Sequence, residues 1–277
     1  MKKIVLIIAL ISFFAMEVFS QQKTKKYNLF NAVPKKEMRD LSTDRPDATE
    51  SANTLDAGHF QIESDLFKTI RNRKDGILSI ENNYNVANLK LGLTNSVDFH
   101  LIVNTYVNTF QKDETGNKTN NKSGFGNMTI RVRKNLWGND DGKTALAIMP
   151  YVSLPTGKMY DDNAVEGGVV FPFNLTITDV FSFGTQAQFD WTKSQNRAGY
   201  HASISQSAVL GMAFTKRTEM FVESYYNYDF EKKKIDVSFN TGPSYELTEN
   251  LKIDAGVNLG LTKNTDNVYF IGFSFRY

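Results

Sequence analysis

The chain closes on VYFIGFSFRY, Val268 to Tyr277. Tyr269, Ile271, Phe273, Phe275 and Tyr277 share one parity; Phe270, Gly272, Ser274 and Arg276 share the other. Successive side chains of a strand point to opposite faces, so this pattern describes a two-faced strand ending on an aromatic residue. The pattern recurs. Leu251, Ile253, Ala255, Val257 and Leu259 alternate with Lys252, Asp254, Gly256, Asn258 and Gly260. Phe181, Phe183, Thr185, Ala187, Phe189 and Trp191 alternate with Ser182, Gly184, Gln186, Gln188 and Asp190. A helical period fails over these windows.

About twelve such segments are expected, near 59–69, 78–93, 97–109, 124–136, 144–154, 167–177, 180–191, 201–214, 218–229, 234–245, 251–261 and 268–277. The second changes phase. Ile80 and Tyr84 lie on one parity and Leu89, Leu91 and Leu93 on the other, which predicts a β-bulge near Asn85 to Ala87. Splitting it would give thirteen strands, the less favoured count.

The connections alternate in length. Short ones are expected at 94–96, 138–142, 178–179, 215–217 and 247–250. Mostly longer, polar ones are expected at 71–76, 111–123, 156–168, 192–200, 231–234 and 262–267. In an up-and-down sheet alternate turns lie at opposite ends. Outer-membrane barrels have short periplasmic turns and longer external loops. The even strand count puts both termini in the periplasm. A soluble β-sandwich also alternates. Strands averaging about eleven residues, near the spanning length, and aromatic residues toward the strand ends favour the barrel. The expected fold is an all-β, transmembrane, up-and-down antiparallel barrel of about twelve strands.

Ahead of it, MKKIVLIIALISFFAMEVFS reads as a signal peptide over residues 1–20: two lysines, a short apolar run, and small residues before a cut at Gln21. The apolar run is too short for a membrane anchor. Residues 21–57 form a periplasmic segment and 58–277 the barrel. The expected location is the outer membrane of a Gram-negative bacterium. Outer-membrane lipid, lipopolysaccharide and the barrel-assembly machinery are the expected partners. With no cysteine, disulfides and thiolate metal sites are excluded. A net charge of +2 gives no support for a nucleic-acid partner.

Catalysis has little to stand on. The chain has three histidines, His59, His100 and His201, without an HExxH pair or a Gly-x-Ser-x-Gly elbow. DDNAVE at 161–166 admits a divalent ion but reads more simply as a solvated loop. Neither a cofactor nor a metal is expected.

Parity places Glu63, Asp65, Lys90, Asp98, His100, Arg131, Arg133, Asp190, Glu219, Glu223, Asp236, Lys252, Asp254 and Arg276 toward the lumen. Two readings stay open: an ion-pair network that fills and stiffens the barrel, or a selectivity site. Just before the first strand, Asp44, Arg45, Asp47 and Glu50 are too charged for lipid. This stretch either folds into the periplasmic mouth or is a solvated linker. If it folds in, its acids have Arg131, Arg133, Lys252 and Arg276 as partners.

The run TDRPDATESANTLDAGHFQIES, with NVANLKLGLTNSVDFHL and VSLPTGK, resembles a bacterial outer-membrane transporter family labelled as a meta-cleavage pathway of phenol degradation. The resemblance covers roughly residues 42–277 and rests mainly on Thr43-Asp44-Arg45-Pro46-Asp47 with Glu50. It implies an outer-membrane barrel with a transport role. Nothing in these residues carries phenol chemistry. The expected function is a non-enzymatic channel for passive passage or uptake of small molecules, small hydrophobic or aromatic compounds among them. The alternative is a structural or surface-interaction barrel closed by ion pairs.

Overall fold

The computed structural model describes residues 26–157, 159, 164–194, 196–263 and 265–277. The expected signal peptide lies outside the described residues. Among them are thirteen strands: β1 (Phe60–Lys74), β2 (Ile77–Thr94), β3 (Val97–Lys112), β4 (Lys118–Gly124), β5 (Met128–Trp137), β6 (Thr144–Leu154), β7 (Glu166–Thr176), β8 (Phe181–Lys193), β9 (Tyr200–Ala213), β10 (Thr218–Asp229), β11 (Lys234–Thr248), β12 (Leu251–Gly260) and β13 (Asn267–Arg276). Every named pairing is antiparallel.

The sheet closes. β1 pairs with both β2 and β13, and β3 joins β2 to β5, so twelve strands form a ring. β4 is the extra strand and pairs with β3 alone. The periplasmic half of β3, Val97–Val103, pairs with β5, while Val107–Lys112 pairs with β4. The stretch 111–123, expected as a loop, therefore contains a strand. The stretch 71–76 is corrected too: β1 runs to Lys74, and Asp75 (φ 51°) with Gly76 (φ 82°) makes a two-residue turn. Asp-Gly with both residues at positive φ is the favoured hairpin connection. Outside the bilayer a hairpin needs no apolar face, so alternation fades where these strands continue.

The phase change in β2 sits at Asn85, whose φ is 53°. It aligns with its neighbours. β1 carries one extra residue against β13 at Leu66, and the Thr105 hydroxyl of β3 donates to the Tyr84 and Asn85 carbonyls. All three strands switch faces at one level, so the ladder between them stays in register.

Burial is inverted relative to a soluble domain. Phe181, Trp191, Ile253, Tyr269, Ile271 and Phe275 are exposed, whereas Lys90, Asp98, His100, Arg133 and Glu223 are buried. Among the described residues the buried apolar cluster is Ala52, Ala145 and Ala147. Lipid solvates the apolar parity and the lumen receives the polar one.

This assignment predicts an asymmetry. Val257→Arg, on the outward parity, should cost insertion about 2–4 kcal/mol if midplane, whereas the neighbouring inward Asn258→Arg should insert nearly as well as wild type. Heat-dependent electrophoretic mobility of the refolded variants reads the difference.

Candidate functional site: the charged segment across the lumen

The inward face is mostly polar, with apolar exceptions such as Ala145, Ala147 and Met149 on β6, and a polar interior without partners would be costly. Residues 42–58 supply many of those partners. The segment crosses the periplasmic part of the lumen and touches walls on all sides.

At one end, the Asp44 backbone N–H donates to Glu63 on β1 at 3.0 Å. The Asp44 carboxylate meets Lys90 of β2 at 2.5 Å and Arg133 of β5 at 2.7 Å. Lys90 also pairs with Glu63, and Arg133 with Asp98 of β3 at 2.7 Å. His100 lies 3.0 Å from Asp98. Arg45 reaches the other way, to Asp65 on β1 and to Asp254 on β12, the latter at 2.5 Å. Beyond Pro46 the chain reaches the far wall. The Ala48 N–H and the Thr49 hydroxyl donate to Glu223 of β10 at 3.0 and 2.6 Å. The Glu50 N–H donates to Gln186 of β8 at 2.8 Å, and its carboxylate pairs with Arg131 of β5.

The segment then returns. The Ala52 N–H donates to Asn174 of β7 and its carbonyl accepts from Asn135 of β5. The Leu55 N–H donates to Asp98 at 2.7 Å. Asp56 pairs with Arg39 at 2.8 Å and lies 3.6 Å from Arg276 of β13. Two inward glycines leave room for this path. A Cβ at Gly272 would lie 2.2 Å from the Arg45 guanidinium, and one at Gly92 would lie 2.0 Å from the Asp56 carbonyl.

Charge balance along the segment is uneven. Burial alone would raise Asp44, but Arg133, Lys90 and His100 outweigh it and hold its carboxyl well below the usual range. Burial would likewise lower Arg45, yet Asp65 and Asp254 hold its pKa up. Asp47 is pushed well above the usual range by burial and by Glu223 beside it. Glu50 is pushed up to about 7, because burial and Asp44 outweigh Arg131.

The segment divides the lumen. Above it is a cavity of about 270 Å³ lined by Ala48, Tyr225, Asp236, Asn240 and Asn258. Below it is one of about 400 Å³ lined by Arg45, Asp47, Gly211, Glu219 and Lys252.

Of the partners expected for the segment, Arg131, Arg133 and Arg276 meet Glu50, Asp44 and Asp56. Lys252 does not meet the segment. It pairs with Glu219 at 2.8 Å and approaches Glu246 at 3.9 Å, because both carboxylates rise from neighbouring β10 and β11 at the same rim. Asp190 lies further out, bonded to Tyr151, Gln188 and Ser203. Asp236 pairs with Lys234 at 2.5 Å. Sequence reasoning placed Lys90 in the lumen and Arg45 in the segment, but did not name Lys90 as a partner of the segment, and it missed the amides Gln61, Asn135, Asn139, Asn174 and Gln186 that bind the segment's backbone or side chains. Inward Gly92 and Gly272 were the available signal. Among the described residues no group of three or more His, Asp or Glu side chains is placed to hold a metal ion. The 161–166 stretch falls partly outside the described residues.

Removing one member of a buried pair strands the other's charge, at a cost of about 3–5 kcal/mol. Arg133→Met removes the guanidinium that Asp44 and Asp98 share, leaving Asp44 with Lys90 and Asp98 with His100. It should expose residues 42–58 of the folded barrel to protease, seen as a shortened N-terminus by mass spectrometry. Glu219→Gln, at the half-exposed rim, should change protection by less than about 1 kcal/mol.

Comparison with known proteins agrees with this architecture. An outer membrane channel from Pseudomonas putida F1 aligns with a TM-score of 0.59 at 11% identity, over 85% of this chain and 100% of that one. The transport unit of the autotransporter AIDA-I from Escherichia coli aligns with a TM-score of 0.52 at 12% identity, over 79% and 89%. The NanC porin aligns with a TM-score of 0.50 at 11% identity, over 76% and 98%. At these identities the likeness is one of fold, the outer-membrane β-barrel. No curated protein matches the sequence. Residues 43–277, from the charged segment to the last residue, match the family described as "Putative MetA-pathway of phenol degradation", and the chain belongs to that family.

Proposed function

We propose that this protein is a non-enzymatic outer-membrane channel for passive passage of small molecules, with residues 42–58 as its constriction. The observation that carries this reading is the placement of that segment between two cavities of the lumen, held by reversible ion pairs and hydrogen bonds. Asp44, Arg45, Asp47 and Glu50 form the constriction from the segment; Glu63, Asp65, Lys90, Arg131, Arg133 and Asp254 form it from the wall. The lining suits small water-soluble solutes. Small aromatic compounds fit if they carry a polar group, since a purely hydrocarbon solute would meet the carboxylates and guanidiniums of the segment and its wall. Export by a signal peptide cleaved before Gln21 goes with this reading.

A second reading has its own support. The Asp44–Lys90–Glu63 and Asp98–Arg133 pairs are buried and mutually compensated, as a closed, structural barrel requires. Planar-bilayer recording separates the two. Deleting residues 21–56 should leave insertion intact and raise single-channel conductance and liposome swelling. A truncated barrel that inserts and stays as silent as the full chain would establish the structural reading.

Conductance should also depend on pH. Glu50 is pushed up to about 7 in the docked segment and has a carboxyl of ordinary acidity when released. The docked state therefore binds the proton more tightly. Its Glu50 contribution is complete below about pH 4.5 and is lost as pH rises through 7. Asp47 acts in the same direction. Open probability should rise between pH 5 and 8, and Glu50→Gln should flatten that rise.

A further inference from the structure

The outward face of β1–β4 carries cations that enter no ion pair among the described residues. Register fixes their positions. Arg73 lies opposite Leu78, Leu78 opposite Lys112, and Lys112 opposite Lys118, so one cross-strand row holds three cations. One row nearer the periplasm, Arg71 lies opposite Ile80 and Ile80 opposite Phe110. These rows face outward, because the Arg71 guanidinium sits 5.7 Å over the ring of Tyr269, part of the exposed aromatic parity of β13. Lys118 and Lys112 lie 4.1 and 5.9 Å from the Phe110 ring centroid. None of Arg71, Arg73, Lys112 and Lys118 enters an ion pair among the described residues.

Two features turn this into a binding surface. Like charges directly opposite each other across a ladder are destabilising, yet Lys112 faces Lys118 and neither enters an ion pair among the described residues. An anion from outside would relieve that repulsion. Height gives the second. Arg71 follows Phe60, at the periplasmic end, by about 36 Å of strand, or about 28 Å of height at a tilt of about 40°. The apolar band of such barrels is about 25 Å tall, so Arg71 and Arg73 stand at the headgroup level of the outer leaflet.

We propose that this surface binds a bisphosphorylated glycolipid headgroup of the outer leaflet. The Arg71 and Arg73 guanidiniums take one phosphate, and the Lys112 and Lys118 ammoniums take the other. β1 and β4 are three strand spacings apart, about 14 Å, a separation suited to phosphates at the two ends of a disaccharide. Guanidinium recognises phosphate oxygens through paired N–H donors, while ammonium acts as a point charge. The aromatic row beneath, Phe67, Tyr84 and Tyr106 with ring centroids 5.3 and 5.8 Å apart, lies at the depth of the acyl chains.

The test uses the full mature chain in detergent, titrated with purified bisphosphorylated lipid A and followed by native mass spectrometry and by the temperature of the heat-dependent mobility change. Wild type should bind the lipid and shift upward in temperature. The variant carrying Arg71→Gln, Arg73→Gln, Lys112→Gln and Lys118→Gln should lose the shift, with affinity lower by about tenfold or more. Lys216→Gln with Arg217→Gln, on a periplasmic turn, should bind as wild type. If the fourfold variant fails to fold, Lys112→Gln with Lys118→Gln, on the hairpin beyond the closed ring, carries the same expectation. Unchanged binding by the variant, or an equal shift of wild type by inorganic phosphate or by an acidic peptide, would overturn the proposal.

Discussion

A peptide N–H or C=O that enters hydrocarbon must find its partner inside the protein. That requirement closes the sheet, and closure decides much else. A closed sheet has two faces in different solvents, so each strand must sort its residues by parity, lipid outside and lumen inside. Trp191 and Ile271 are exposed for the same reason that Arg133 and Glu223 are buried. The interior that results is a polar problem to be solved rather than an oily core.

The solution is a second piece of chain. Residues 42–58 bring backbone donors to carboxylates and carboxylates to guanidiniums, so the charges on β1, β2, β3, β5, β10 and β12 are matched by the segment or by one another. Buried ion pairs rarely stabilise by themselves, because desolvation offsets attraction. Their value here is specificity. Arg45 has one place where Asp65, Asp254 and the space at Gly272 coincide. The matching is incomplete on the β8–β10 side, where Asp47 lies beside Glu223 without a cation and Glu50 keeps a raised pKa despite Arg131. The weaker side is the natural place for the segment to loosen, and it is the side that responds to protons.

The outside is also uneven. β1 to β4 rise past the rest of the ring, switch faces together at Leu66, Asn85 and Thr105, and then present cations where other strands have ended. One coordinated irregularity thus separates the lipid-facing part of these strands from their headgroup-facing part.

Alternation of apolar and polar side chains is a local property, and the sequence by itself carried it completely. The closed antiparallel barrel, its twelve ring strands and the phase change at Asn85 follow from the two-residue period and the solvents on either side. β4 was illegible because a strand beyond the bilayer need not alternate, and its run KTNNKSG is polar on both faces. Pairings were beyond sequence for another reason. Arg45 and Asp254 are separated by 209 positions, and which carboxylate a buried guanidinium reaches depends on strand stagger and the path of a segment with no period of its own. Lys252 shows the same limit. Its parity pointed it inward, but Glu219 on the adjacent wall lay closer than the segment did. Parity assigns a side chain to a face, while only the closed ring fixes which side chains meet across it.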